Sequence, residues 1–336
     1  MEIMKNSIFI IAELSANHNN DLELALKTIE SIAKTGADAV KVQTYKPSSL
    51  TLNTDKGFFQ KKTTGLWKGY TPWKLYEEAS LPYEWHEIIK LKVESLGMVF
   101  FSSPFDIEGV DFLEKLGVKM YKIASLEINN YPLIRYVASK GKPIILSTGV
   151  VSKEELKEVL NIIRDEGNNH ITLLKCTADY PAKIQDANLK TLLDLKDLGV
   201  EVGLSDHTNS NLLPIMSVAL GAKVIEKHFI LDRDLGGPDS QFSLNPIEFK
   251  SMVEQVRNAE SALGKIYYNS KSEDLLRRKS IFVSSDIKKG EIFTKDNIRI
   301  VRPGDGLSPS YWEIVLGNKA SKNLSFGTPL KEEYFE

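Results

Sequence analysis

The segment IFIIAELSANHNNDLELALKTIESIAKTGADAVKVQT, residues 8–44, decides the fold. It begins with an apolar run at 8–14, continues with a stretch at 21–36 whose apolar residues recur every three or four positions, and ends with a second apolar run at 39–44. This pattern predicts a strand, an amphipathic helix that ends near a glycine, and a second strand. A strand, a helix and a strand in that order are typical of a parallel sheet.

The same alternation continues along most of the chain. Short apolar, β-branched runs predict strands at residues 8–14, 39–44, 98–103, 120–125, 143–148, 171–176, 202–206 and 224–229, and a stretch of helical length lies between most of them. Eight strands that are each followed by a helix predict the α/β fold class and, within it, a (β/α)8 or TIM barrel.

Two segments depart from this regular spacing. Residues 45–97 are too long for a plain connection, and LTLNTDKGFFQKKTTGLWKGYTPW at 50–73 is rich in Lys, Gly, Thr and aromatic residues, so we expect a lid or an active-site insertion. After residue 264 the sequence is polar and then gives short strands with Gly and Pro turns. The predicted organisation is a (β/α)8 barrel domain at 1–264, a linker at 265–280 and a small β-rich domain at 281–336.

The composition excludes several classes of partner. The 43 Lys and Arg residues nearly balance the 45 Asp and Glu residues, which gives a net charge of −2 and no bulk attraction to nucleic acid or to an anionic membrane. The apolar run near the N-terminus is short and contains Glu13, unlike a signal peptide or a membrane span. The single cysteine, Cys176, excludes an internal disulfide. We therefore predict a soluble, cytoplasmic protein without nucleic-acid or membrane partners.

Polar residues concentrate at or just after the ends of the predicted strands. In a (β/α)8 barrel the carboxyl ends of all strands meet at one face, where active sites lie. Charged groups within strands are costly to bury unless they are paired or bind a ligand, so the pattern predicts one shared polar site. Its candidate residues are Glu13, Asn17, Lys41, Gln43, Ser103, Lys122, Ser125, Ser147, Ser205, His207 and His228.

The residue types narrow the chemistry of this site. Lys41 and Lys122, with several serine hydroxyls nearby, suit a phosphate or carboxylate ligand, although a lysine that forms a Schiff base is an open alternative. His207 and His228 fall at matching ends of adjacent strands, which lie about 5 Å apart in a parallel sheet. Two imidazoles at that spacing indicate a divalent metal ion.

Nine short motifs then reveal a resemblance. In order along the chain, IAELSANHN, VKVQTY, FSSPFD, YKIAS, STG, GLSDHT, EKHF, GPDSQFSLNP and VRPGDG are similar to the motifs of the sialic acid synthase family. The resemblance covers nearly the whole chain and implies a (β/α)8 barrel joined to a C-terminal antifreeze-like (SAF) domain. The SANHNN form of the first motif, TYKPSSLTL and the LW-G insertion resemble the branch of the family that makes pseudaminic acid.

The resemblance also implies an activity. Members of this family condense phosphoenolpyruvate with an open-chain amino sugar, cleave the C–O bond of phosphoenolpyruvate, and release phosphate and a nine-carbon 2-keto acid. For the branch named above, the sugar would be 2,4-diacetamido-2,4,6-trideoxy-L-altrose. Synthases of N-acetylneuraminic or legionaminic acid, which use the same chemistry on other sugars, are the nearest alternative, and a non-catalytic sugar-binding protein is an alternative of another class.

The resemblance finally implies residue roles. Mn²⁺, Mg²⁺ or Co²⁺ would be bound by His207 and His228, and Glu13 would act as a base or an electrostatic stabiliser near the reacting carbon. A homodimer with exchanged C-terminal domains is implied as well. The sequence departs from the family at position 178, where Ala178 replaces the Asn that the family often has. The implied phosphoenolpyruvate ligands are Lys41, Gln43, Ser103, Lys122, Ser125, Ser147 and Ser205, and the implied sugar ligands are Asn17, Tyr180, Asp239 and Arg302.

Overall fold

Eight parallel strands close into a barrel in the computed structural model, which describes residues 7–268 and 272–335. The strands pair in chain order, and β1 pairs with both β2 and β8. The (β/α)8 barrel predicted from the sequence is confirmed. The strands are β1 (Phe9–Glu13), β2 (Ala39–Thr44), β3 (Val99–Pro104), β4 (Tyr121–Ile123), β5 (Ile144–Ser147), β6 (Ile171–Cys176), β7 (Glu201–Asp206) and β8 (Val224–His228).

Helices connect the strands, and several of them begin at a residue whose side chain caps the first turn. The Asp21 side chain accepts a hydrogen bond from the Leu24 amide at the start of α1, and Ser152 forms a capping box with Glu155 at the start of α7. The helices of this unit are α1 (Leu22–Ala33), α2 (Pro47–Leu50), α3 (Pro72–Ala79), α4 (Trp85–Ser95), α5 (Ile107–Leu116), α6 (Tyr131–Ala138), α7 (Lys153–Asp165), α8 (Thr191–Lys196), α9 (Leu212–Ala219) and α10 (Pro246–Leu263).

Successive side chains along each strand point to opposite faces and so form two apolar layers. A small cluster fills the lower part of the barrel: Phe9, Ile11, Ala39, Phe101, Met120, Ile145, Leu174 and Val224. Their neighbours in the strands, such as Ile10 and Val40, belong to the larger core that the barrel shares with the helices. Gly203 belongs to the crowded interior, because a Cβ there would lie 2.3 Å from the Val224 carbonyl oxygen. The interior is therefore a packed core beneath the carboxyl ends of the strands.

The long segment between β2 and β3 forms part of the barrel unit. It contains α2, α3 and α4 and a 3₁₀ turn at Gly57–Phe59. The Trp67 indole donates a hydrogen bond to the Pro238 carbonyl oxygen at 3.0 Å, and its ring lies 6.0 Å from that of Tyr180. The predicted insertion thus contacts the loop that follows β8.

A second unit follows Gly264, since the contacts divide the chain into Met1–Gly264 and Lys265–Glu336. It contains α11 (Ser272–Leu275), the antiparallel pair β9 (Ser280–Val283) and β10 (Ile298–Val301), and α12 (Trp312–Val315). Its own core includes Ile281, Phe293 and Leu330. The predicted linker at 265–280 includes residues 269–271, which lie outside the described residues, and its bounds stay a prediction.

None of the helices that the structure describes combines the length and the apolar composition that a membrane crossing needs.

A buried histidine in α4 makes stability depend on pH. His86 is fully buried, with Nε2 2.8 Å from Thr44 Oγ1, and burial lowers its pKa from 6.5 to about 4. Because the folded-state pKa is depressed, its contribution is complete above about pH 6.5 and is lost as the pH falls towards 4. We expect this histidine to remove about 2 kcal/mol from the free energy of unfolding between pH 7 and pH 5.

Urea titrations at pH 7 and pH 5 check this expectation. The parent protein should lose more stability between the two pH values than His86→Gln, because the glutamine side chain at position 86 does not titrate. Equal losses in the two proteins would contradict it.

Candidate active site

A polar layer lies directly above the apolar layer inside the barrel. Alternation places Glu13 two residues after Ile11, and Lys41 two residues after Ala39, so each polar side chain points to the same side as its apolar neighbour. The same rule brings together most of the predicted site residues. Those from the inner face of the strands are Glu13, Lys41, Gln43, Ser103, Lys122, Ser147, Ser205 and His228, with His207 one residue beyond β7.

Two lysines and two carboxylates form the centre of this layer. Lys41 Nζ lies 2.8 Å from Glu13 Oε1 and 3.4 Å from Glu226 Oε2. Lys122 Nζ lies 3.1 Å from Glu226 Oε1, which also accepts a hydrogen bond from Ser205 Oγ at 2.9 Å. All four charged side chains are at most 4% exposed. The two positive charges are thus matched by two negative charges.

This pairing keeps both carboxylates ionised. Burial alone would raise the pKa of Glu13, but the positive charges of Lys41 and Lys122 outweigh burial and hold it well below the usual value. Burial would likewise raise the pKa of Glu226, and Lys122 and Lys41 lower it instead. Burial would lower the pKa of Lys41, but Glu13 and Glu226 raise it, so this lysine stays charged.

The two predicted metal ligands are neighbours. The rings of His207 and His228 are 5.2 Å apart between centroids. His207 Nδ1 lies 3.0 Å from the Thr177 carbonyl oxygen, so Nε2 is the nitrogen that could bind a metal ion. His228 Nε2 lies 3.3 Å from Glu13 Oε2. Burial lowers the pKa of His228 despite the nearby carboxylates of Glu13 and Asp239, so its imidazole is neutral and can bind a metal.

The pair fits a metal site with open positions. His228 Nδ1 is buried without a hydrogen-bond partner among the residues that the structure describes. Within residues 7–268 and 272–335, no three His, Cys, Asp or Glu side chains converge as a metal-binding group. An ion held by these two imidazoles would therefore take its other ligands from substrate and water, as catalytic metal sites do.

The predicted serine ligands differ in their contacts. Ser103 Oγ donates to the Lys122 carbonyl oxygen at 3.1 Å, whereas Ser147 Oγ is buried without a partner in the described part of the chain. The predicted strand at 120–125 is too long, because β4 ends at Ile123 and a 3₁₀ turn begins at Ser125. In this turn the Ser125 hydroxyl accepts a hydrogen bond from the Gly149 amide at 3.0 Å. The backbone turn still keeps Ser125 buried.

The residues predicted to bind sugar are distributed unevenly. Asp239 Oδ2 lies 4.0 Å from His228 Nδ1, and the Tyr180 ring packs 4.4 Å from that of His207. The Asn17 side-chain amide donates hydrogen bonds to the Phe229 carbonyl oxygen and to the Ser243 hydroxyl, both at 2.8 Å. Arg302 belongs to the second unit, where its Nε donates to the Arg277 carbonyl oxygen at 2.9 Å.

The sequence analysis missed Glu226 as a member of the site. It contacts both lysines and Ser205 and is 2% exposed. The available signal was its spacing of two residues from His228, which puts both side chains on the inner face of β8. Lys227 between them points outward, where it pairs with Asp206 at 2.5 Å.

A (β/α)8 barrel with buried, charge-balanced lysines and carboxylates beside two histidines at the carboxyl ends of its strands has the architecture of an enzyme. Comparison with known proteins gives the family: the NeuB family matches residues 28–268, and the SAF domain matches residues 278–336. The chain belongs to the NeuB family and has a C-terminal SAF domain, so the resemblance predicted from the sequence is confirmed.

Individual relatives agree with this assignment. A pseudaminic acid synthase of Campylobacter jejuni is 49% identical over 98% of this chain and 96% of the relative. An N,N'-diacetyllegionaminic acid synthase of the same species is 42% identical over 98% of this chain and 100% of the relative. The crystal structure of an N-acetylneuraminic acid synthetase from Leptospira borgpetersenii, in complex with citrate, has a TM-score of 0.71 and 31% identity and covers 80% of this chain and 89% of that chain.

Proposed function

We propose that this chain condenses phosphoenolpyruvate with 2,4-diacetamido-2,4,6-trideoxy-L-altrose to form pseudaminic acid and phosphate, with a divalent metal ion as cofactor. The observation that carries the proposal is the buried pair of lysines beside the histidine pair, because side chains that suit an anion lie next to imidazoles that suit a metal ion. The 49% identity to a pseudaminic acid synthase, against 42% to a legionaminic acid synthase, supports the choice of sugar.

The lysines would bind the charged groups of phosphoenolpyruvate. Lys41 and Lys122 would exchange contacts with Glu13 and Glu226 for contacts with the phosphate and carboxylate. The buried Ser147 hydroxyl has no partner among the described residues, so it could donate a hydrogen bond to the ligand. Gln43, Ser103 and Ser205 lie on the inner faces of their strands in the same layer, and Ser125 lies in the turn that follows β4. Burial strengthens each of these charge-assisted contacts.

Charge balance supports a divalent cation. Lys41 and Lys122 are already matched by Glu13 and Glu226, and the His228 imidazole is neutral. A multiply charged anion such as phosphoenolpyruvate would therefore add uncompensated negative charge to a buried site. A Mn²⁺, Mg²⁺ or Co²⁺ ion on His207 and His228 would offset that charge and would supply Lewis-acid polarisation of the sugar aldehyde.

The low pKa of Glu13 favours an electrostatic role over general-base catalysis. In the proposed reaction, C3 of phosphoenolpyruvate forms a bond to the aldehyde carbon, and water adds at C2. The bond from C2 to the phosphate oxygen then breaks as the added hydroxyl becomes the keto group, and the two protons of the water end on the former aldehyde oxygen and on the released phosphate. Positive character develops at C2 before water adds. An ionised Glu13 would stabilise that charge, whereas a carboxylate with so low a proton affinity is a weak base.

The opposite side of the site would position the sugar. Asp239 can accept hydrogen bonds from sugar hydroxyls. Burial raises the pKa of Tyr180, so its hydroxyl stays protonated and can donate to the sugar. Asn17 would contribute by holding the loop after β8, since its amide nitrogen already contacts Phe229 and Ser243.

Phosphate release by purified protein tests the proposal. The assay contains phosphoenolpyruvate and Mn²⁺ and compares the altrose sugar with N-acetylmannosamine, each with and without EDTA. We expect EDTA-sensitive release with the altrose sugar alone. Release only with N-acetylmannosamine would assign another sugar, and EDTA-resistant turnover with borohydride trapping of a pyruvate adduct would favour Schiff-base chemistry.

We further propose that the protein acts as a homodimer with exchanged SAF domains, so that Arg302 serves the partner's barrel. The family resemblance supports this arrangement, and the Arg302 side chain is exposed. Coexpression of Arg302→Ala with His228→Ala tests it. In an exchanged heterodimer one of the two sites has an intact barrel and an intact arginine, so mixed protein should regain activity that neither variant has alone. Absence of any regain would contradict the exchange.

A further inference from the structure

The backbone at Ser15 adopts a conformation that serine rarely takes. Its φ is +47°, in the left-handed region that favours glycine. Four non-glycine residues of the described chain have positive φ: Ser15, Asn19, Asn20 and Asn188. Three of these are asparagines, which tolerate this region better than other side chains do. Ser15 therefore has a side chain at a position where glycine would be less strained, which indicates that its hydroxyl has a function.

The hydroxyl of Ser15 connects two residues of the site. Its Oγ donates to Asp239 Oδ2 and accepts from Gln43 Nε2 at 3.0 Å. The next backbone amide, that of Ala16, also donates to Asp239 Oδ2 at 3.2 Å. Ser15 itself is 5% exposed. These contacts tie a carboxylate from the loop after β8, which contains the glycine pair at 236 and 237, to a side chain of the rigid barrel.

The same contacts complete a ring around His228. Gln43 Nε2 also donates to Glu13 Oε1 at 2.9 Å, and Glu13 Oε2 lies 3.3 Å from His228 Nε2. On the other side of the imidazole, His228 Nδ1 lies 4.0 Å from Asp239 Oδ2. Ser15 is the link that closes this ring, because it joins Gln43 to Asp239.

We propose that Ser15 is a positioning residue that fixes the Asp239 carboxylate beside His228 and thereby sets the affinity for the hydroxyl-bearing sugar substrate. This inference rests on the function proposed above. The Ser15 hydroxyl bonds Asp239 and Gln43, and Gln43 keeps its bond to Glu13 when that hydroxyl is lost. We therefore expect its effect on the sugar, with phosphoenolpyruvate binding nearly unchanged.

Two variants separate the hydroxyl from the backbone strain. Ser15→Gly and Ser15→Ala both lose the hydroxyl, and only the glycine relieves the strain, so its melting temperature should exceed that of the alanine variant by about 2 °C. Both should raise the KM for the sugar about tenfold, the size expected for one hydrogen bond to a charged group, with the KM for phosphoenolpyruvate within about twofold of the parent. Asn188→Gly relieves the same kind of strain at an exposed position and should leave both constants unchanged.

A double-mutant cycle with Asp239→Asn adds a second measurement. Once the carboxylate is gone, Ser15→Gly should have little further effect on the KM for the sugar. A parent-like KM for the sugar in a folded Ser15→Gly variant, or additive effects in the cycle, would overturn the inference. A parent protein without turnover on either sugar would overturn the proposed function first and this inference with it.

Discussion

The variants His207→Ala and His228→Ala are each expected to lose about 10³-fold or more in phosphate release, while both remain folded. The loss follows because each variant removes one of the two imidazoles that would hold the metal ion. The fold should survive because both histidines lie at the carboxyl ends of β7 and β8, above the packed lower layer of the barrel. Melting temperatures within about 3 °C of the parent are expected.

Binding of Mn²⁺, followed by electron paramagnetic resonance without substrate, gives a readout that is independent of turnover. The parent should bind one ion per site, and each alanine variant should bind it much more weakly. His170→Ala is the matched control, because this histidine is exposed just before β6. Parent-like Mn²⁺ affinity and turnover in either active-site variant would contradict the metal assignment.

The second large effect is expected for Lys122→Met. The variant keeps the volume of the side chain but removes a buried positive charge, so kcat/KM for phosphoenolpyruvate should fall about 10³-fold. Glu226 retains Lys41 at 3.4 Å, so its charge is still partly compensated and the barrel is expected to fold.

Lys175→Met is the control for this variant. Lys175 lies on β6, is half-buried, and donates to the Cys176 carbonyl oxygen at 2.7 Å, without a place in the lysine–carboxylate cluster. Steady-state kinetics with varied phosphoenolpyruvate should show a large loss for Lys122→Met and little change for Lys175→Met. Similar losses in both variants would show that position 122 has no special role in binding the anion.

The barrel could be predicted because its signal is local and repeated. Each strand is an apolar run, and the helices such as α1 and α7 have an apolar stripe and a side-chain cap. The predicted end of β4 was wrong because Ala124 and Ser125 are small residues that fit the sequence pattern of the strand. The backbone instead forms a 3₁₀ helix from Ser125. Strand ends depend on tertiary contacts that a short run does not encode.

The position of the site followed from the topology, but its internal contacts did not. Glu13 and Lys41 could be placed at one mouth because all parallel strands end there. The sharing of Glu226 by two lysines and the bond from Ser15 to Asp239 join residues that are far apart in the chain. Such contacts depend on the radius of the barrel and on the loop after β8, and neither can be read from local periodicity.

A crystal structure of the protein with phosphoenolpyruvate and Mn²⁺ tests the central claim most directly. The account predicts the phosphate and carboxylate of the ligand within hydrogen-bond distance of Lys41 and Lys122, with Mn²⁺ bound by His207 and His228 at about 2.0–2.3 Å. Glu226 should then have exchanged at least one of its lysine contacts for the ligand. Phosphoenolpyruvate bound elsewhere, with the contacts among Glu13, Lys41 and Glu226 unchanged, would contradict the account.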